Sequence, residues 1–366
     1  MSHETRIRKL EHIRTCLEKD VEAKNITTGL EHVHLIHRAI PRVSFQDIEL
    51  SVKVFGHEFS APIIVSALTG GAEEGKRINA VLAEAVEELG LGMGVGSQRA
   101  ALEDPRLEET FRIARKKAPT AFLIANIGYT QLVEDYDVAD VRKAVEMIEA
   151  DALAIHLNPL QEVIQAEGRP GGPGLLDAIK TLSEELDIPI IVKETGCGIA
   201  SEDARKLERV GVDGIDVAGA GGTSWAAVEH YRALESGDLA KAELGSQFWD
   251  WGIPTAVSIV EVAMSTDLTV IASGGIRTGL DAAKALSLGA HMVGVALPML
   301  KAAVKGVKQA KLVLKQLING LKTAMFLVGA GNVDELHKVA LIIDGPVYQW
   351  LRARGYHPEC YAMRGL

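Results

Sequence analysis

Residues 152–162 read Ala-Leu-Ala-Ile-His-Leu-Asn-Pro-Leu-Gln-Glu, an apolar run followed at once by an imidazole, two amides and a carboxylate. The apolar half, 152–155, has the composition of a strand that is buried on both faces. The polar half, 156–162, would be costly inside a strand, where its groups lack partners. A solvent loop has no need of so many different donors and acceptors. The stretch therefore predicts the carboxyl end of a barrel strand, with its polar side chains facing a ligand.

Similar apolar runs recur along the chain, and amphipathic segments separate them. The predicted strands are 63–67, 92–96, 120–126, 152–157, 188–193, 214–218, 269–273 and 292–296. The predicted helices are 76–89, 107–117, 138–149, 175–186, 202–210, 256–266 and 280–288. This alternation predicts an α/β fold, a (β/α)8 TIM barrel. An open doubly wound sheet is the alternative, but so many successive units favour closure.

The whole chain, residues 1–366, is predicted to form a single barrel domain with additions at both ends. Residues 1–60 form an N-terminal extension, 61–300 the barrel, and 301–366 C-terminal helices at 302–329 and 333–354. In the extension, 43–54 alternates and then turns at 55–57, which predicts a hairpin that caps the barrel floor. The connection 219–254 is unusually long, and long barrel loops are usually functional.

Composition excludes several classes of protein. The net charge of −10 disfavours a nucleic-acid partner, and 47% hydrophobic residues allow a sizeable core. Three widely spaced cysteines argue against a disulfide framework or a zinc site and fit a reducing cytosol. Residues 1–20 are too charged for a signal peptide, and the longest apolar stretches, such as 292–300, are too short to span a bilayer. These features predict a cytoplasmic protein without a membrane partner.

Glycine-rich segments follow three late strands, at 221–224, 274–277 and 294–297. Glycines let backbone N–H groups approach a phosphate closely, and barrels of this kind commonly bind phosphate after strands seven and eight. Simple tight turns are the alternative. Because the pattern occurs at the expected places, the sequence predicts a phosphate site.

Other polar residues end the remaining strands. Lys193 closes the run 188–192, where its ammonium could form a Schiff base, neutralise an anion on a bound ring, or lie at the surface. Polar side chains also follow the first three strands and could hydrogen-bond the edge of a heteroaromatic cofactor: Thr69, Ser97, Gln98, Arg99 and Asn126. Their recurrence at consecutive strand ends is hard to attribute to turns.

The stretch 156–162 and the N-terminus supply the other candidates. Taken alone, His156 is most simply an ordinary buried histidine, and Glu162 a surface acid. Within their cluster they predict a functional site, and the Glu162 carboxylate suits Mg²⁺, which prefers oxygen ligands and substrate phosphates. The N-terminal basic group is either a solvated helix face or an arm that holds an anion: Arg6, Arg8, Lys9 and His12. Cys197 has no evident base nearby and is not predicted to be a nucleophile.

Together these motifs resemble the type 2 isopentenyl diphosphate isomerases, and the match covers nearly the whole chain. The stretch 156–162 is the most specific part of the match, while the glycine loops are shared with many flavin barrels. The other matching segments are 8–12, 69–71, 96–99, 193–196, 221–224 and 274–277. Leu68, where methionine is common, and Leu10, where an acidic residue is common, depart from the family pattern.

The resemblance implies a division of roles. The implied FMN ligands are Ala67, Leu68, Thr69, Ser97, Asn126, Lys193, Thr223, Gly275, Ile276, Arg277, Ala296 and Leu297. The implied diphosphate ligands are Arg8, Lys9, Ser97, Gln98 and Arg99, with Gln161 also binding substrate and Mg²⁺ on Glu162. The implied catalytic residues are His156, Asn158, Gln161 and Lys193.

The implied reaction interconverts isopentenyl and dimethylallyl diphosphate by protonation and deprotonation. Reduced FMN is the acid and base, NADPH is the reductant, and no net redox change occurs. The resemblance also implies a homo-oligomer, a tetramer or an octamer. Three alternatives stay open: a redox flavoenzyme on the same barrel, a flavin-free prenyl-phosphate synthase, and a non-catalytic flavin-binding protein.

Overall fold

The structure, a computed structural model, describes residues 2–365 and the side chains of residues 7–365, so the Arg6 side chain lies outside the described part. The N-terminal extension begins with helix α1 (Ser2–Glu18). The strands β1 (Val33–Leu35), β2 (Val52–Val54) and β3 (His57–Phe59) follow. A short 3-10 helix, Leu30–His32, precedes β1.

A closed barrel of eight parallel strands confirms the predicted fold class. The strands are β4 (Ile63–Val65), β5 (Gly92–Gly94), β6 (Phe122–Gly128), β7 (Ala152–His156), β8 (Ile190–Lys193), β9 (Gly214–Asp216), β10 (Thr269–Ala272) and β11 (Met292–Val295). Pairing of β11 with β4 closes the barrel. Most strands end a residue or two before the predicted end. Ala218, for example, has a φ of 36°, so the chain leaves the ladder where it turns toward the cavity.

The helices surround the barrel. The helices between β4 and β11 in the chain are α2 (Glu73–Leu89), α3 (Arg99–Glu103), α4 (Glu109–Lys117), α5 (Tyr129–Glu134), α6 (Val138–Met147), α7 (Pro159–Ile164), α8 (Leu175–Glu185), α9 (Ser201–Arg209), α10 (Trp225–Ser236), α11 (Leu239–Gln247), α12 (Thr255–Ala263) and α13 (Gly279–Leu288). The helices α10 and α11 lie in the long connection that the sequence left without secondary structure. Ser224 caps α10 by accepting a hydrogen bond from the N–H of Ala227.

The predicted floor hairpin is present as β2 and β3, although only the end of the alternating stretch 43–54 is paired as a strand. The Phe55 ring in the turn stacks on Phe122 of β6, with ring centroids 6.1 Å apart. Phe59 of β3 is 1% exposed and packs with residues that point inward from several barrel strands. The hairpin therefore closes the amino end of the barrel and leaves the carboxyl end for ligands.

The prediction of one helix over 333–354 is wrong. The C-terminal elements are α14 (Leu297–Ala303), α15 (Val307–Val328), α16 (Val333–Leu336), β12 (Leu341–Ile343), α17 (Gly345–Ala353) and α18 (Glu359–Ala362). Strand β12 pairs antiparallel with β1, which lies some 300 residues earlier in the chain. Leu341 and Ile343 are buried while Ile342 is exposed. This short alternating stretch is a strand because it pairs with β1.

Two further observations concern the predictions about membrane spans and disulfides. None of the helices in residues 2–365 has the length and apolarity that a membrane crossing requires. Cys16, Cys197 and Cys360 are unpaired. The single-domain organisation and the homo-oligomer stay predictions.

Candidate active site

An open cavity lies at the carboxyl end of the barrel, and the space among its lining atoms, including the part open to solvent, is about 1550 Å³. It brings together residues that the sequence placed at separate strand ends and on the N-terminal arm. The predicted site residues that line it are Arg8, Lys9, Ala67, Leu68, Thr69, Ser97, Arg99, Asn126, His156, Asn158, Gln161, Glu162, Lys193, Thr223, Gly275, Ile276, Arg277, Ala296 and Leu297. One ligand in this cavity would therefore contact groups from most barrel strands.

Gln98 is the exception and corrects the prediction that it binds substrate. Its side chain is fully buried (0% exposed) and does not line the cavity. Its Nε2 donates to the carbonyl of Ala144 at 2.6 Å, and its Oε1 accepts from the N–H of Asn126 at 2.9 Å. Because both ends of the amide are used inside the protein, Gln98 holds the Asn126 backbone in place.

The glycine loops after β9 and β10 meet at one side of the cavity. A Cβ on Gly222 would lie 2.3 Å from the backbone nitrogen of Gly275, so only glycine allows this approach. Within the described residues, the N–H groups of Gly275 and Ile276 donate to no protein acceptor. Free backbone donors at closely packed glycines are a suitable site for a phosphate.

Two unpartnered hydroxyl groups lie just past the carboxyl end of β4. The side-chain oxygens of Ser66 and Thr69 are buried, line the cavity and have no hydrogen-bond partner among the described residues. A buried hydroxyl without a partner is costly, which points to a ligand with polar edges. A heteroaromatic ring such as the flavin satisfies this requirement.

Lys193 lies at the end of β8 and faces the cavity. Its Nζ donates to the carbonyl of Glu194 at 2.7 Å and lies 3.8 Å from Oδ2 of Asp216. Asp216 is 3% exposed and accepts a hydrogen bond from Ser273. The ammonium is therefore held beside the cavity by two partners, and Ser273 in turn orients one of them, Asp216.

His156 is neutral at physiological pH. Burial, together with the charges of Lys9 and Lys193, lowers its pKa to about 3. Asn126 donates its Nδ2 to the carbonyl of Val95, so its Oδ1 accepts from Nδ1–H of His156 at 2.8 Å. This hydrogen bond favours the tautomer with its proton on Nδ1. His156 therefore positions or accepts, and does not act as a cationic acid.

Gln161 is held by a buried carboxylate that the sequence did not indicate. Its Nε2 donates to Oε1 of Glu229 at 2.9 Å, and its Oε1 accepts from Asn158 at 3.0 Å. Glu229 also accepts from Nε2 of His12 at 2.9 Å and from Nη1 of Arg232 at 2.6 Å. Burial raises the pKa of Glu229, but His12 and Arg232 outweigh it and lower that pKa to about 2.

Glu162 presents its carboxylate to the cavity beside these amides. Its Oε1 accepts from Asn158 at 3.0 Å, and its Oε2 accepts from Gln165 at 3.0 Å. Among the described residues, no group of three or more acidic, histidine or cysteine side chains could hold a metal alone. A Mg²⁺ ion on Glu162 would need oxygen atoms from substrate and water, which is its usual manner of binding.

Cations from α1 and α3 gather at the same cavity. Lys9 donates from Nζ to the carbonyl of Ser97 at 3.3 Å, and Arg8 and Arg99 line the cavity beside it. Burial, and then the charges of Arg8 and Arg99, lower the pKa of Lys9 to about 7. Three cations so close together repel one another unless an anion lies between them, which is what a diphosphate provides.

Sequence reasoning missed Glu229 and Asp216, and it weighed His12 only as part of a basic group. The signal for Glu229 was present in the long connection. Ser224 and Gly237 mark the start and end of a helix that carries Glu229 on its buried face. One partner, Arg232, lies three residues further along the same helix, but His12 lies 217 residues away and no local pattern indicates it.

Comparison with known proteins agrees with this geometry. An isopentenyl-diphosphate delta-isomerase of Methanothermobacter thermautotrophicus is 51% identical over 357 residues, covering 98% of this chain and 99% of that protein. One of Ignicoccus hospitalis is 49% identical, covering 97% and 98% of the two chains. The chain belongs to the isopentenyl-diphosphate delta-isomerase family. The resemblance inferred from the motifs is thereby confirmed.

Two further comparisons place the family among flavin barrels. The FMN-dependent dehydrogenase family model matches residues 158–342. A solved structure of a mandelate oxidase variant with a monooxide FMN adduct superposes with a TM-score of 0.62, at 18% identity, over 92% of this chain and 99% of that one. At such low identity the likeness supports the barrel fold alone.

Proposed function

We propose that this isomerase interconverts isopentenyl and dimethylallyl diphosphate by protonation and deprotonation, with FMN in its reduced form as acid and base. The observation that supports it is one cavity with two separate anion-binding groups. The glycine loops 221–224 and 274–277 suit the flavin phosphate. The cations Arg8, Lys9 and Arg99, with Glu162 for Mg²⁺, suit the substrate diphosphate.

The side chains of His156 and Gln161 would position an isoprene better than they could protonate it. An alkene is a weak base, so its protonation needs a well-placed acid. His156 is neutral, with its pKa at about 3, and the amide of Gln161 does not titrate at neutral pH. When bound, reduced FMN supplies electron-rich ring nitrogens that can carry the proton to and from the alkene.

Each residue then has a limited task. Lys193 lines the cavity, and its ammonium would favour the anionic form of a reduced flavin bound there. Gln161 is fixed by Asn158 and Glu229, lines the cavity and keeps one N–H of its amide free, with which it would orient the substrate. Residues that exclude water protect a developing cation, and Trp225, which lines the cavity and packs edge-on against the His12 ring at 5.1 Å, is placed for this.

The direct test is an assay of the purified protein with isopentenyl diphosphate in deuterated water, with Mg²⁺ and chemically reduced FMN. We expect formation of dimethylallyl diphosphate with deuterium at carbon, and no consumption of reductant after the first reduction of the flavin. NADPH should replace the chemical reductant. Absence of both double-bond migration and deuterium incorporation would contradict the proposal.

The redox alternative has one observation in its favour, the match of residues 158–342 to the FMN-dependent dehydrogenase family. In that case substrate turnover would consume NADPH or oxygen in equal amount. The same assay separates the two functions, because the isomerase needs reductant only once per flavin. We propose a cytoplasmic location and a homo-oligomer as well; fractionation and light scattering test them.

The lowered pKa of Lys9 predicts a pH-dependent affinity for diphosphate. The ammonium form binds the anion, and the free amine must first take up a proton above its pKa of about 7. We therefore expect the Kd of pyrophosphate with Mg²⁺ to rise up to about tenfold per pH unit between pH 7.5 and 9, by linkage. Calorimetry in buffers of different ionisation heat should detect uptake of a proton.

The matched variant is Lys9→Arg, which keeps a positive charge throughout this range. Pyrophosphate itself also titrates, so the quantity to compare is the difference between the two proteins. The variant should bind with a flatter pH dependence and with less proton uptake. Equal proton uptake by both proteins would show that Lys9 is already protonated before binding.

A further inference from the structure

Residues 20–29, here called the strap, join helix α1 to β1 and cross the glycine loops of the cavity. Glu22 forms an isolated antiparallel bridge with Thr223. The N–H of Ala23 donates to the carbonyl of Gly222 at 2.8 Å, and the N–H of Ser224 donates to the carbonyl of Val21 at 2.8 Å. The strap is thus paired as a short strand with the loop after β9.

The strap also contacts the loop after β10. A Cβ on Gly221 would lie 2.1 Å from the backbone nitrogen of Thr28, and one on Gly275 would lie 2.2 Å from Cγ2 of Thr28. Both glycines have positive φ, at 105° and 73°. Glycine is therefore required both for the turn and for the close approach of the strap.

Further contacts fix the backbone at Glu22. Nε1 of Trp249 donates to the carbonyl of Glu22 at 3.0 Å, and the N–H of Lys24 donates to Asp250 at 2.7 Å. The ammonium of Lys24 lies 3.4 Å from the centre of the Trp249 ring. These contacts fix the position of the backbone from which the Glu22 carboxylate extends.

The Glu22 carboxylate is directed at Arg277, which lines the cavity. Oε1 of Glu22 accepts from Nε of Arg277 at 3.0 Å and also from Nη2. Nη1 of Arg277 donates to the carbonyl of Ile276 at 3.0 Å. A guanidinium has more N–H groups than these contacts use, so one on Nη1 and one on Nη2 stay free for phosphate oxygens.

We propose that Glu22 is a positioning residue for the flavin phosphate: the strap holds its carboxylate, and the carboxylate holds Arg277 beside the free N–H groups of Gly275 and Ile276. This inference rests on the proposed function only in that the cavity binds FMN. It assigns a task to the N-terminal extension at the cofactor, in addition to the task of Arg8 and Lys9 at the substrate.

A comparison of two flavins tests the proposal. Riboflavin has the ring of FMN but lacks the phosphate. In full-length protein freed of flavin, Glu22→Gln should raise the Kd of FMN about tenfold, the scale of one misplaced charge-assisted hydrogen bond. The Kd of riboflavin should change less than about twofold. Quenching of flavin fluorescence measures both values.

The matched control is Glu18→Gln, which makes the same change at an exposed carboxylate at the end of α1 that does not line the cavity, and it should leave both affinities unchanged. A merely structural role of Glu22 would weaken both flavins alike and lower the melting temperature of the flavin-free protein. That result, an unchanged FMN affinity, or tighter FMN binding would overturn the proposal. Failure of the unmodified chain to bind FMN at all would contradict the proposed function as well.

Discussion

Replacement of Glu162 by glutamine should lower kcat of the isomerisation about 1000-fold, since without the Mg²⁺ ion that would fix the diphosphate the isoprene lies away from its reactive position. Glutamine keeps the size of the side chain and one oxygen that can accept from Asn158. It removes the negative charge of the side chain. Among the described residues, no group of three or more acidic, histidine or cysteine side chains could bind the ion instead. FMN affinity should stay the same, because the predicted flavin ligands are other residues.

Activity measured against Mg²⁺ concentration checks this prediction. The variant should need far more Mg²⁺ to reach half of its residual rate. Glu134→Gln is the control, since Glu134 is an exposed carboxylate at the end of α5 that does not line the cavity. Its rate should change less than about threefold, as for most exposed substitutions. A Glu162→Gln enzyme with normal kcat and normal Mg²⁺ demand would exclude Glu162 as the metal ligand.

Strand ends were predictable because two local properties coincide there. A run buried on both faces is apolar at every position, and the first polar residue after it marks the end of the strand. Lys193 and His156 were found in this way, and both face the cavity. In a closed parallel barrel all such ends lie at the same side, so the fold class alone brought these residues into one site.

Side-chain direction one or two residues past a strand was not predictable. Ser97 and Gln98 are neighbours after β5, yet Ser97 lines the cavity and Gln98 is buried behind it. The difference depends on the Ala144 carbonyl, which lies 46 residues away and happens to accept from the Gln98 amide. The residues next to Gln98 in the sequence do not indicate such a partner.

Contacts between residues far apart in the sequence also explain why β12 and the role of Glu229 were not predicted. β12 is a strand because β1 lies beside it, and Glu229 is charged and buried because Arg232 and residues of helix α1 surround it. A carboxylate in an amphipathic helix is ordinarily read as solvent-exposed. Only the docking of α1 on α10 distinguishes this one, through the contact between His12 and Glu229.

Glu229→Gln should then lower kcat about 100-fold, the usual cost of a catalytic group displaced by roughly an ångström. A carboxylate accepts from Gln161, His12 and Arg232 with two oxygens, whereas glutamine offers one oxygen and turns an NH₂ group toward these donors. The Gln161 amide must therefore rotate or move. Affinities for pyrophosphate and FMN should change little, because Glu229 does not line the cavity.

Acid unfolding gives a readout that is independent of activity. The pKa of Glu229 is about 2 in the folded state and near its ordinary value of 4.5 in the unfolded chain. Its contribution to stability is thus complete above pH 4.5 and is lost as the pH falls from 4.5 toward 2. Urea unfolding between pH 5.5 and 3 should show a steeper loss for the unmodified protein than for Glu229→Gln.

The same helix offers the control for both measurements. Glu235→Gln removes a carboxylate of α10 that is 40% exposed and pairs with Arg14 at the surface, so it should leave kcat and the acid dependence nearly unchanged. If Glu229 acts only by supporting the fold, Glu229→Gln will lose stability with kcat per folded molecule intact. If it positions Gln161, kcat will fall in protein that is fully folded at neutral pH, and Gln161→Ala combined with Glu229→Gln will cost scarcely more than either change alone.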